Sequence, residues 1–299
     1  MKLDELKFPQ DPHQLATAVA AADHAGAAGA AVRWRFIART APEEQPPPMA
    51  RILRGGGGRG GATRLKLFLS LLWLARGRPD PVFGYPAQQL ASLLGLPSPT
   101  GAGARRVHEA LKWLHGQGFV ALEPRPGEAA RIHMLDDAGS GAAYQAPGPL
   151  VARKRRQSTD REKHFYVQLK RELWTEGWIS HLSGAAVAMY LAALHEERGK
   201  TGNAVWISPR IGRERYDLSD ETRGKGLAEL VNLGLLNLEK RPVPQASFDE
   251  RYRARNVYRI VSNGLAKVHG KSRDALTSQD SLDPFTMEEI NSSYFADPA

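Results

Sequence analysis

Residues Ala110–Pro126 read ALKWLHGQGFVALEPRP, and residues Gly226–Pro242 read GLAELVNLGLLNLEKRP. Set one above the other without a gap, the two stretches share Leu111/Leu227, Leu114/Leu230, Gly118/Gly234, Leu122/Leu238, Glu123/Glu239, Arg125/Arg241 and Pro126/Pro242. Leucines three apart followed by a glycine predict a helix that ends at that glycine. The apolar run that follows at once predicts a strand, and the Arg and Pro beyond it mark a turn. A pattern that recurs in register predicts two copies of one supersecondary unit.

The residues upstream extend the match. Val82–Pro86 (VFGYP) and Val205–Pro209 (VWISP) each give a β-prone run closed by a proline. That proline suits the first position of a helix, where its missing N–H costs nothing. Short helices are predicted over 86–94 and 209–215, with Ser208 as N-cap of the second. Turns at Gly95-Leu96 and Asp217-Leu218 lead to further caps, Ser98 before Pro99 and Ser219 before Asp220-Glu221, and then to the repeated helices. The first copy carries additional residues here, Ser98–Ala104 (SPTGAGA), which predict a longer and more mobile turn.

Each copy also has a leading helix. Leu65, Phe68, Leu69, Leu72 and Trp73 fall at helical spacing over 63–76, as do Val187, Tyr190, Leu191 and Leu194 over 183–198, and both are read as core helices. Strands at 130–135 and 256–261 close the units. The order helix, strand, helix, helix, strand, turn, strand is therefore predicted twice. The fold class is mainly α with small β-wings (α+β), as two domains joined by a flexible basic linker. The expected boundaries are a partly disordered N-terminal extension over 1–62, a first domain over 63–135, a linker over 136–164, a second domain over 165–264 and a disordered tail over 265–299.

Composition narrows the class. The chain has 299 residues, a formal net charge of +9 and no cysteine. That length leaves room for two independent cores. The positive balance favours an anionic partner, and the missing thiols remove disulfides and thiolate metal sites and suit a reducing compartment. The longest apolar stretch, Leu67–Ala75, falls far short of a membrane span, and Asp4, Glu5 and Asp11 precede any apolar region, so no signal peptide is expected. A cytoplasmic, nucleoid-associated protein with no membrane contact is the expectation. Arg54–Gly61 (RGGGGRGG) resembles RGG-type nucleic-acid segments but reads as a flexible connector. The run Arg153-Lys154-Arg155-Arg156 suits either a phosphate grip or a solvated linker.

The doubled helix, glycine and strand pattern resembles the winged helix-turn-helix superfamily, as in the MarR-like and GntR-like regulators, over residues 63–135 and 165–261. Two such units in one chain also look like the plasmid replication initiators. The resemblance implies binding of double-stranded DNA, with the repeated helix in the major groove and the β-wing against backbone or minor groove. On the first helix the core stripe of Val107, Leu111 and Leu114 turns Arg105, Arg106, Glu109 and Lys112 outward. On the second, Leu227, Leu230 and Val231 face in and Thr222, Arg223, Lys225 and Glu229 out, and Arg210 and Arg213 on the preceding short helix join the set. Arginine suits guanine because its fork donates to O6 and N7 together. In the second wing, Arg251, Arg253 and Arg255 alternate at period two and would project from one face of a strand. Three aligned cations suit a phosphate rail, while Asp249 and Glu250 allow surface ion pairs instead. The first wing offers Arg125 and Arg131.

Enzyme motifs fail. Gly199-Lys200-Thr201 lacks the P-loop glycine, since Leu194 stands at its place, and Gly270-Lys271-Ser272 fails likewise at Leu265. No HExxH arrangement occurs, and a surface or capping role is expected for His195. No enzyme activity, cofactor or metal is expected. The function expected is sequence-specific DNA binding, most simply transcriptional regulation, with replication initiation and a protein-interaction module as alternatives. A protein partner for the N-terminal region and a monomer or homodimer complete the expectations.

Overall fold

The computed structural model describes residues 11–25, 29–41, 43–54, 60–75, 78, 81–153, 159–198, 202–242 and 254–269. The chain opens with helix α1 (Pro12–Ala25), strand β1 (Ala30–Arg33), a helical turn α2 (Trp34–Ile37) and α3 (Pro48–Arg54). The first repeat follows as α4 (Gly60–Ala75), β2 (Val82–Phe83), α5 (Ala87–Leu93), α6 (Ala104–Gly116), β3 (Val120–Glu123) and β4 (Arg131–Met134). Helices α7 (Pro147–Arg153) and α8 (Thr159–Glu162), strand β5 (Tyr166–Leu169) and helical turns α9 (Glu172–Thr175) and α10 (Trp178–His181) lead to the second repeat. That repeat is α11 (Gly184–Glu197), β6 (Ala204–Val205), α12 (Pro209–Glu214), α13 (Asp220–Asn232), β7 (Leu236–Pro242) and β8 (Ala254–Ile260). The protein is thus a mostly helical α+β fold with small sheets.

The two repeats close in the same way. Their antiparallel sheets have the orders β2-β4-β3 and β6-β8-β7. Gly118 and Gly234 end the repeated helices with φ of 73° and 69°, a conformation glycine adopts without a Cβ penalty. The bonds that fix those ends match as well: Phe119 N–H donates to the Leu114 carbonyl and Leu235 N–H to the Leu230 carbonyl, each at 2.9 Å. Ser208 and Ser219 are N-caps, accepting from Ile211 N–H and Thr222 N–H at 3.1 Å. The additional residues of the first repeat differ from their expectation. Pro99–Gly103 form a π-helical turn that runs directly into α6, while Ser98 sits at φ 52° and makes no cap. Buried Gly103, packed close to the Pro97 carbonyl, is what lets this turn fold back on α5.

Both leading helices are buried on all sides rather than along one stripe. A helix apolar all round belongs at a centre, and α4 packs against α11. Gly184 permits that approach, because a Cβ there would lie 2.9 Å from the Cβ of Ala62. Trp73 of α4 stacks on Trp174 at 4.6 Å, and Trp174 Nε1 donates to Ser70 at 2.9 Å. The result is one continuous core spanning both repeats.

The expectations for the N-terminal extension and the linker are corrected by that core. Val32, Phe36, Ile37, Met49 and Ile52 are fully buried, so β1 to α3 form part of the core and not an appendage. β1 pairs antiparallel with β5, from Ala30 opposite Leu169 to Arg33 opposite Tyr166. Within the expected linker, Leu135 bridges to Ala143, Tyr144 is buried, and Arg33 binds Asp136 and Asp137. The Gly/Ala/Pro composition that suggested a flexible linker instead serves tight turns, with Gly139 and Gly141 at positive φ. His195 is neither on the surface nor at a cap: it is buried and its Nδ1 lies 2.8 Å from the Tyr216 hydroxyl. Among the described residues no helix is long and apolar enough to cross a membrane. Lys154–Arg156, the P-loop-like Gly199–Thr201, most of the glycine-rich connector and the tail beyond 269 lie outside the described residues.

Candidate nucleic-acid interface

Helix α6 buries Val107, Ala110, Leu111 and Leu114 and leaves Arg105, Arg106, His108, Glu109 and Lys112 exposed. This is the arrangement its sequence period predicts. Among the described residues, Arg105, Arg106 and Lys112 have no ion-pair or hydrogen-bond partner, although Glu109 lies on the same helix. Their positive charge is therefore directed at solvent and open to an anionic ligand. Of the first hairpin's two arginines, Arg131 is exposed and without an ion pair among the described residues, while Arg125 is paired with Glu128 three residues on.

Helix α13 of the second repeat is different. Its cations are taken up within the protein. Lys225 Nζ lies 2.5 Å from Glu221 Oε1, and that bond holds the exposed Glu221 carboxyl below its ordinary pKa. Thr222 is spent on the helix start, its hydroxyl 2.9 Å from Ser219 Oγ. Arg223 does not face out as expected: it is half-buried and donates to the Ile207 carbonyl at 3.2 Å. Its Cδ lies 2.9 Å from where a Cβ on Gly212 would stand, so it fills the space between α12 and α13. Glu229 also departs from its expectation, since it caps α11 by accepting Ser183 N–H at 2.8 Å and the Ser183 hydroxyl at 2.5 Å. On α12, Arg210 is bound to both oxygens of Glu214 at 2.9 Å, and Arg213 to Asp220 at 2.6 Å.

In the second hairpin, Arg251 and Arg253 lie outside the described residues, so only Arg255 of the alternating trio has a known place. It sits opposite Arg241 on β7, with its guanidinium 4.8 Å from the centre of the Trp206 ring. Trp206 is 45% exposed. A large aromatic face covered by a guanidinium at a surface is a favourable contact for a base, a sugar or a protein side chain. The sequence reading passed over Trp206 because it took Val205–Pro209 only as a β-prone run closed by a proline. The period-two rule contained the signal: Val205 and Ile207 are buried, so the residue between them must face the other way. Arg241 and Arg259 clasp Glu239 at 2.8 to 3.0 Å and hold its carboxyl below the usual range.

Two clusters that join the N-terminal segment to the repeats also escaped the sequence reading. Asp217, in the turn between α12 and α13, binds Arg39 at 2.7 Å and also Arg54 of α3. Arg33, 3% exposed, is bound by Asp137 and donates to the Gln145 carbonyl at 2.6 Å. The N-terminal segment is therefore fastened to the first repeat by Arg33 and to the second by Arg39 and Arg54. No group of carboxylates and histidines able to hold a metal ion occurs among the described residues. No protein-family model matches the chain, and no curated protein matches it.

Proposed function

We propose that the protein binds double-stranded DNA in a sequence-specific manner through two winged helix-turn-helix units, as a transcriptional regulator. The observation that carries this reading is the solvent face of α6, where Arg105, Arg106 and Lys112 stand without a partner among the described residues. The repeated element order and the matching sheet topology support the winged-helix assignment. In this reading Arg105 and Arg106 donate to base edges in the major groove, Lys112 meets a phosphate, and Arg131 on the hairpin lies along the backbone.

The division of labour is unequal. Because Lys225 of α13 is paired with Glu221, and Arg210 and Arg213 of α12 with Glu214 and Asp220, the first repeat supplies most of the base contacts. The second contributes through Arg255, Trp206 and the hairpin. The N-terminal segment fixes the two units relative to each other, which favours a single spacing between their contact sites on the duplex. The test is binding to a duplex selected from a random pool, followed by salt titration. Arg105→Ala and Arg106→Ala should each weaken binding, with the log–log salt slope unchanged if the lost contact is to a base, and Lys112→Ala should flatten it by about one unit. Full affinity in the triple variant would remove α6 from the interface.

One observation favours a second reading for part of the molecule. Trp206, just beyond β6, and Leu238 of β7, 45% and 44% exposed, are large apolar side chains of the second repeat. In a protein-interaction module such a pair anchors a partner chain. Trp206→Ala distinguishes the two: it lowers duplex affinity if the second repeat meets DNA and leaves it unchanged if the ring meets protein.

A further inference from the structure

Between the N-terminal segment and the turn that follows β4 lies a cleft of about 300 Å³. One wall is residues 35–51, with Arg35, Arg39, Glu44 and Arg51; the other is residues 136–140, with Asp136 and Gly139. A cleft of that size is at the lower end of what small-molecule sites occupy.

The charges within it are unevenly satisfied. Both acids already have partners: Asp136 Oδ2 accepts the hydroxyl of Ser140, also in the cleft wall, at 2.7 Å and its Oδ1 lies 3.4 Å from Arg33, while Glu44 accepts Thr40 N–H at 2.8 Å. Arg39 is committed to Asp217. Arg35 and Arg51, in contrast, have no carboxylate partner among the described residues. Arg51 is half-buried against the Phe119 ring at 5.2 Å, and its Nε is buried without a hydrogen-bond acceptor. A buried guanidinium N–H without an acceptor is costly, and an anion removes that cost. The opposite wall is built for close approach. Gly139, at φ 81°, has its backbone so near that a Cβ would stand 2.5 Å from Arg51 Nη2.

We propose that this cleft binds a small anion bearing a phosphate or a carboxylate, gripped by Arg35 and Arg51 and closed off by the 138–140 turn. One wall is the N-terminal segment that fastens the repeats together and the other is the turn after β4, so an occupant strengthens that fastening. The site acts as an effector pocket. It does not depend on DNA recognition, and a failure of duplex binding would leave it standing.

The test uses the full-length protein and two probes, inorganic phosphate and citrate, followed by thermal unfolding and titration calorimetry against chloride at equal ionic strength. At least one probe should raise Tm saturably. Arg35→Ala removes an exposed side chain with no partner among the described residues, and Arg51→Lys keeps the charge and the apolar stem but loses the planar fork. Each should weaken that probe by about tenfold or more, the scale of a hydrogen bond to a charged group. Arg105→Ala should leave the response unchanged. A response that fails to saturate for both probes, one that survives in both cleft variants, or one lost with Arg105→Ala would overturn the site. So would an Arg35→Ala protein that loses duplex affinity yet keeps its phosphate response.

Discussion

Arg33 and Asp137, 104 positions apart in the chain, form an ion pair from which solvent is excluded. The Arg33 backbone N–H donates to Asp137 Oδ2 at 3.0 Å while its guanidinium takes the other oxygen, and Asp137 is 0% exposed. Burial pushes the Asp137 carboxyl up and the neighbouring guanidinium opposes it. The pair joins β1 to the segment after β4. Six residues further along from Arg33, Arg39 repeats the device on the second repeat.

Removing one member of such a pair leaves the other charge stranded. Asp137→Ala should cost about 3–5 kcal/mol of folding stability in urea denaturation. The double change Arg33→Met with Asp137→Leu should recover much of that loss, since well-packed apolar groups often replace buried pairs without penalty. A single variant within about 1 kcal/mol of the parent, the typical effect of a point change, would mean the pair is structurally idle.

Asp217 is the anchor on the other side, and it occupies φ 52°, where the first repeat has Gly95 at φ 62°. Asp217→Gly should relieve the backbone while losing Arg39 and Arg54. The native chain has no cysteine, so spin labels at Lys112→Cys and Lys225→Cys report the distance between the repeats without background. The distance distribution should be narrow in the parent and broader with Asp217→Gly. Equal widths would show that Asp217 does not hold the joint.

His195 supplies the pH dependence. Burial, then the charges of Arg215 and Arg198, lower its pKa from 6.5 to about 3. The folded pKa lies below the unfolded one, so the unfolded state takes up the proton first. The stabilisation is complete above pH 6.5 and is lost as pH falls from there towards 3. Over that window the loss attributable to this group is about 1.4 kcal/mol per pH unit. Denaturation between pH 7 and 4.5 should give a shallower dependence by that amount in His195→Gln, and an unaltered one would contradict its neutral burial.

Helix α13 lies close on α11 because residue 226 is glycine. A Cβ there would stand 2.4 Å from the Ala185 carbonyl oxygen and 2.6 Å from Met189 Cγ. Gly226→Ala should destabilise by about 1–3 kcal/mol through overpacking, despite the better helix propensity of alanine. The matching position in the first repeat is Ala110, buried without such a constraint, so Ala110→Gly should cost only about 1 kcal/mol from propensity and lost packing.

Arg223 provides a contrast with α6. Its bond to the Ile207 carbonyl and its place against Gly212 predict that Arg223→Ala lowers Tm while leaving the salt slope of duplex binding where it was. Lys112→Ala should do the reverse. A flatter slope with Arg223→Ala would return that residue to the interface.

What could be read in advance follows from the range of the forces involved. The leucine stripes, the glycines that end α6 and α13 and the serine caps at 208 and 219 are decided by neighbours within one turn of chain, and each is found where its residues require. The exposed face of α6 follows from the same periodicity. The second helix shows the limit. Thr222, Arg223, Lys225 and Glu229 carry the right spacing for an outward face; the partners of Thr222 and Lys225 lie within one turn, but those of Arg223 and Glu229, Ile207 and Ser183, are set by no local rule. The N-terminal segment was opaque for a related reason. Its alanine and glycine content resembles loose chain, and only the partner strand β5 shows why small residues are needed there.

By itself the sequence determined that one helix, glycine and strand unit occurs twice, that each helix has a greasy side, and that α6 turns three cations away from it. Those are consequences of backbone period and side-chain type, which act over a few residues. The tertiary structure alone decided which cations remain free, how the repeats share one core, and that arginines 33, 39 and 54 fasten them. The fastening depends on groups meeting across more than a hundred residues, where a Coulomb interaction or a hydrogen bond counts only once the fold has brought its partners within a few ångströms.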